Sequence, residues 1–232
     1  FIRRQTEEPW VCCNSSAATL LTWYRNNVLH LFAAPSLVAL LVSRAKAGIQ
    51  ERHLAEQCLI IYPFVAQELT INEALALEPV LQALSGMGLI TRRDGYLRPA
   101  SKPGEPYTQL GQLSTLLLEM LQRLYVVICI ANQASLERDE LRSISQASAR
   151  KLARLFGLQG AEFSEDRLFD LFIDGLISKQ YLSIDERDRL IASSLLQQVA
   201  EQAAEQVIEP AIHKALLRVV AGELEKRGPS SI

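Results

Sequence analysis

The chain has 232 residues, enough for one large domain or two small ones with a real core. Hydrophobic residues make up 49%, which rules out disorder as the default state, and 6% aromatics beside abundant Leu and Ala favour packed helices over sheets. A net charge of -2 gives no electrostatic case for a nucleic-acid partner, and four cysteines in a chain of this size do not make a disulfide framework. Cys12 and Cys13 are adjacent, while Cys58 and Cys129 stand alone in apolar runs; all four read as reduced, cytoplasmic thiols.

Residues 1–14 lack a period and read as a linker with at most one short strand. The sequence opens at Phe1 with no initiating Met and no apolar signal region follows Arg3 and Arg4, so the expectation is a piece of a longer protein. Ser15 or Ser16 is placed to cap a helix over residues 17–34. One stripe of that helix carries Leu20, Tyr24, Asn27 and Leu31, and its polar side carries Thr19, Thr22, Asn26 and His30. Pro35 is expected to interrupt it and start a second helix that Gly48 ends.

Residues 51–69 read as a helix with Leu54, Cys58, Ile61 and Val65 on one face, strained at Pro63. Residues 73–87 follow as a helix with Val80, Leu84 and Met87 inward. The period then changes over residues 89–97, a hairpin turning at Asp94-Gly95. Two helices and a small hairpin make a winged-helix-like arrangement.

Pro103, Gly104 and Pro106 mark residues 101–107 as a linker. A long apolar helix is expected to run on to Ala131, then an amphipathic helix over residues 137–156 closed by Gly157. Ser164, with Glu165 and Asp166 behind it, opens another helix to Asp174. Gly175-Leu176-Ile177 echoes Gly88-Leu89-Ile90 and hints at a duplication. Residues 185–226 form one long helical pattern broken near Pro210, and residues 229–232 are a tail. The expected fold is therefore mainly α: a multi-helix bundle with one or two small winged-helix-like hairpins. It divides into subdomains over residues 15–100 and 108–228.

No stretch reads as a membrane span. Residues 28–42 are short and hold His30 and Pro35, and residues 113–131 carry Glu119, Gln122 and Arg123 in their middle.

One block carries family information. Trp23-Tyr24-Arg25-Asn26-Asn27, then a small apolar run with His30, then Pro35-Ser36-Leu37 resembles a block of bacterial membrane-bound glycerol-3-phosphate acyltransferases. Three later segments fall in that family's order: Tyr62-Pro63 with Glu68-Leu69, Gly88-Leu89-Ile90-Thr91, and residues 152–163 with Gly157 and Glu162-Phe163. The resemblance implies the helical C-terminal region of such an enzyme, at the cytoplasmic face of the bacterial inner membrane. It implies partners too: an upstream catalytic domain, acyl-CoA or acyl carrier protein, glycerol 3-phosphate or dihydroxyacetone phosphate, and the membrane surface.

The family's catalytic motif is His-x-x-x-x-Asp, in which the His takes the hydroxyl proton. Five residues after His30, His53 and His213 stand Pro35, Cys58 and Arg218, so the chain alone is expected to be inactive. No Gly-rich phosphate loop, Cys-x-x-Cys or His-x-x-x-His pair appears, and no cofactor or metal is implied.

The candidate sites are non-catalytic. Arg25, Asn26 and Asn27 read as a hydrogen-bonded joint to the upstream domain or, since a guanidinium fork suits phosphate, as a phosphate contact. Arg92, Arg93, Arg98 and Lys102 make a basic hairpin, either solvated or touching anionic headgroups at about 1 kcal/mol per basic residue. The alternative functions are a winged-helix protein-interaction module and a membrane-surface anchor built from residues 28–42 and 113–131.

Overall fold

A computed structural model describes residues 14–45, 47–157, 163 and 165–226. Its nine described helices and two three-stranded antiparallel sheets confirm a mainly α fold. The helix-strand-helix-helix-hairpin order of a winged helix occurs twice. The first unit runs α1 (Ser15–Arg44), β1 (Ile49–Gln50), α2 (Glu51–Glu68), α3 (Leu77–Gly86), β2 (Ile90–Arg93) and β3 (Tyr96–Pro99). The second runs α5 (Leu118–Ala131), β4 (Leu136–Glu137), α6 (Arg138–Phe156), α7 (Asp166–Ser178), β5 (Leu182–Ile184) and β6 (Arg189–Ala192). Between the units α4 (Glu105–Thr115) packs against α1, and after them come α8 (Ser194–Gln206) and α9 (Pro210–Glu225).

In each sheet the last strand is central. β3 lies between β1 and β2, with Ile49 opposite Leu97 and Ile90 opposite Pro99. β6 lies between β4 and β5, with Leu136 opposite Leu190 and Leu182 opposite Ala192. Two-residue strands such as β1 and β4 are too short to leave a period in the sequence, and neither was foreseen.

Several expected boundaries move. Pro35 does not divide α1, while α2 runs through Pro63 as one helix, as expected. In both places the carbonyl that loses its donor belongs to an exposed residue, Leu31 or Leu59, where water can replace the missing N–H. Asn14 caps α1, its side chain accepting from the Ala17 N–H at 2.8 Å in place of Ser15 or Ser16. The third helix starts at Leu77 and not at residue 73; it buries Leu81 and Leu84 but leaves Met87 exposed.

The long apolar helix of residues 108–131 is two helices bent by 44°. Near the break the Ser114 and Thr115 hydroxyls donate to the Gly111 and Gln112 carbonyls, competing for acceptors of the helical ladder. Residues 185–226 are not one helix. The Asp185 carboxylate accepts from the backbone N–H groups of Arg187 and Arg189, both at 2.8 Å, and Asp188 takes φ +60°. That turn closes the second hairpin, after which Ser193 caps α8 and Pro210 opens α9. The linker of residues 1–13, Ser164 and the tail beyond 226 lie outside the described residues.

The order of elements repeats, but in a register that differs from the sequence echo. Gly175-Leu176-Ile177 lies inside α7, whereas Gly88-Leu89-Ile90 follows α3. The equivalent pairs are set by hydrogen bonds. Leu89 N–H donates to the Leu84 carbonyl and Tyr181 N–H to the Leu176 carbonyl, each at 2.9 Å. Just before them Gly88 and Gln180 both take the left-handed conformation, at φ +70° and +60°. Gly88 thus matches Gln180, a pairing no alignment of letters suggests.

The core is continuous. From α1 it takes Leu37 to Val42, and from α5 every residue from Met120 to Ala131 except the buried polar Gln122 and Arg123. Each fully buried Leu or Ile there contributes about 1.5–3 kcal/mol.

Candidate functional site

The end of α2 meets α5 and α7 at a polar joint between the two units. Arg123, with 3% of its side chain exposed, forms an ion pair with Glu68, whose side chain is 8% exposed. The Arg123 guanidinium also lies 5.7 Å from the centre of the Phe172 ring. Gln67 donates to the Leu171 carbonyl at 3.2 Å, and Phe64 packs on Tyr181 with ring centres 5.8 Å apart. Gly175 leaves room for this approach, since a Cβ there would stand 2.5 Å from Gln67 Oε1. Sequence reasoning missed this site. Its signal was Arg123 inside an apolar run, a charge that has to be paired once buried, but nothing in the sequence named the partner 55 residues away.

Arg25, Asn26 and Asn27 lie in the N-terminal half of α1. The side chains of Arg25 and Asn26 lie outside the described part of the structure; Asn27 is exposed. The stripe around them faces outward: Leu20, Leu21, Tyr24, Val28, Leu31 and Phe32 are all exposed, Tyr24 by 61% and Leu31 by 65%.

The basic hairpin is partly neutralised. Arg92 donates from Nε and Nη2 to both Glu51 carboxylate oxygens and from Nη1 to Glu78, each at 2.7 Å. Those bonds push the Arg92 pKa up, and the Arg92 bond holds the Glu78 carboxyl below its ordinary range. Arg98 lies over the Tyr96 ring at 5.8 Å, Lys102 over the Tyr107 ring at 4.6 Å, and Arg93 is exposed. In DNA-binding winged helices the second helix of the helix pair enters the groove. Here α3 carries no Lys or Arg, and α7 carries Asp166, Asp170 and Asp174 against Arg167. Both would repel a phosphate backbone.

The three histidines lie on three separate helices, His30 on α1, His53 on α2 and His213 on α9. His30 is exposed; His53 Nε2 lies 2.9 Å from Gln57 Nε2, with Glu56 3.8 Å from its Nδ1. His213 Nδ1 lies 2.7 Å from the Tyr125 hydroxyl. A cleft of about 360 Å³ beside the first wing is lined by Arg44, His53, Tyr96 and Glu205 over Leu41 and Gly48. Among the described residues no cluster of His, Cys, Asp and Glu is arranged to hold a metal. Burial pushes the Cys58 thiol up to about 12 and the Cys129 thiol up to about 11, so both stay protonated as packing residues.

By length and composition Asn27–Arg44 of α1 is apolar enough to cross a membrane, but half of it is buried against the protein.

Comparison with known proteins decides the family. Residues 1–185 match the family described as glycerol-3-phosphate acyltransferase C-terminal region. The chain belongs to that family. A glycerol-3-phosphate acyltransferase of Pseudomonas paraeruginosa is 34% identical over 193 residues, which are 79% of this chain and 23% of that protein. One from Pseudomonas fluorescens is 32% identical over the same length, and one from Aeromonas hydrophila is 36% identical over 173 residues, 71% of this chain and 21% of that protein. This chain therefore spans less than a quarter of the length of these acyltransferases. No solved structure matches it. Both partners of the Glu68–Arg123 pair fall within the acyltransferase match, whereas β6, α8 and α9 lie beyond it.

Proposed function

We propose that this chain is the non-catalytic C-terminal region of a glycerol-3-phosphate acyltransferase, folded against the part of the polypeptide that performs the chemistry. In this reading the whole enzyme moves a fatty acyl group from acyl-CoA or acyl carrier protein to the first hydroxyl of sn-glycerol 3-phosphate for phospholipid synthesis. It works at the cytoplasmic face of the bacterial inner membrane. The observation that carries the reading is the match of residues 1–185 to a C-terminal region.

Chemistry supports it. A glycerol hydroxyl is a poor nucleophile at neutral pH and needs a positioned base. His30, His53 and His213 each lack an Asp five residues on, and the nearest carboxylate oxygen to a described imidazole is Glu56 at 3.8 Å from His53. The two winged-helix units enter as protein-packing modules, because α3 carries no Lys or Arg and α7 sets three Asp against its one Arg, which does not suit nucleic acid. Arg25 and Asn27 belong to the same reading as residues of the joint with the rest of the enzyme.

The test is a radiolabelled acyl-transfer assay on the purified chain beside the full-length protein. Transfer by the full-length protein and none by the chain is the expected result. Turnover by the chain that persists through re-purification overturns the non-catalytic reading, and an inert full-length protein overturns the enzyme reading.

A further inference from the structure

The outward face of α1 presents a run of large apolar side chains to the surface. At about 100° per residue, Leu20, Leu21, Tyr24, Val28, Leu31 and Phe32 fall within one arc of about 120° and extend about 18 Å along the helix. All six are exposed by 44% or more. The opposite side of the same helix buries Leu29 and Ala33, so the helix is apolar on two sides and covered on one. Contiguous exposed apolar surface of this kind marks an interaction site.

We infer that this face of α1 is the docking surface for the remainder of the acyltransferase polypeptide, a step that rests on the functional reading above. Three observations choose that occupant. The curated acyltransferases are more than four times as long as the stretch matched here, since it covers 23% of their length, so a large folded partner belongs to the same polypeptide. The face is poor in charge: α1 contains no Asp, Glu or Lys, and before Arg44 its basic residues are Arg25 and His30 alone. An interfacial lipid-binding helix is rich in Lys and Arg along its polar flank, whereas the buried centre of a protein interface is depleted of charge and enriched in aromatic residues. Finally, Asn27 lies at the edge of the arc and Tyr24 within it, and both are exposed. Their amide and hydroxyl need hydrogen-bond partners once covered, which a protein surface supplies and hydrocarbon does not.

Photocrosslinking in the full-length acyltransferase tests the assignment. Benzoylphenylalanine replaces Tyr24 or Leu31, and in a third protein it replaces Leu59, an exposed residue of α2. Membranes are irradiated and crosslinked peptides are identified by mass spectrometry. Positions 24 and 31 are expected to crosslink to a shared set of peptides upstream of this region, and position 59 is not. Crosslinks from 24 and 31 to phospholipid, to a second copy of the chain or to nothing overturn the inference, as do the same upstream peptides captured from position 59. Acyl transfer is measured on the same membranes. Lipid crosslinks in an active enzyme sink the docking surface alone, while upstream crosslinks in an inactive protein sink the functional reading and leave the docking surface standing.

Discussion

The two winged-helix units share a topology but not a surface. In the second unit the opening helix α5 has 14 residues and is buried from Met120 to its end. In the first unit α1 has 30 residues; it is continuously buried only from Ser36 to Val42, and between Leu20 and Phe32 it presents six exposed apolar residues. The wings differ as well. Asp94 and Gly95, at φ +55° and +73°, turn the first, while the Asp185 carboxylate organises the second through backbone hydrogen bonds. The contrast teaches that one backbone plan can be closed in one copy and left open in the other. The open copy is where function outside this chain is to be sought.

The largest expected effect breaks the joint that holds the copies together. Arg123→Met leaves the Glu68 carboxylate buried without its guanidinium and should cost about 3–5 kcal/mol. The double variant Glu68→Leu/Arg123→Met should recover most of that, because two apolar groups of similar volume need no pairing. Urea unfolding of the single and double variants measures both. A single variant as stable as the wild type would mean that the pair does not hold the units together.

A smaller effect sharpens the difference between the two opening helices. Ile130, fully buried in α5, should lose about 2–5 kcal/mol on substitution by Ala. Leu31→Ala in α1 should change the stability of the chain by no more than about 0.5 kcal/mol, since Leu31 is exposed. Equal losses at the two positions would show that the outward face of α1 is packed within the chain itself.

Most of the fold was legible where the pattern was long or the turn chemistry local. The helical stripe of α2, the Asp94-Gly95 hairpin and the Gly157 stop of α6 each rest on residues close in sequence. What failed was non-local or local in an unfamiliar way. The strands β1 and β4 are fixed by partners more than 45 residues away, such as Leu97 for Ile49. The second hairpin hid in a helical pattern because Asp185 and Asp188 do the turning without glycine. Helix stripes gave periods but not directions, so Leu20, Tyr24 and Leu31 could be grouped on one face while the sequence did not say that this face looks outward. The Glu68–Arg123 joint had a visible half, the charge in an apolar run, and an invisible one.

Native-state hydrogen exchange on the isolated chain tests most directly the central claim, that the same plan is closed in the second unit and open in the first. Amides of α5 across residues 121–131 should exchange only through global unfolding, at the slowest rates in the molecule. Those of α1 across residues 20–32 should exchange through smaller local openings, because Leu20, Leu21, Tyr24, Val28, Leu31 and Phe32 are exposed along one face. Protection of residues 20–32 equal to that of α5 would contradict the account, showing that the first unit is closed as tightly as the second and leaves no face for a partner.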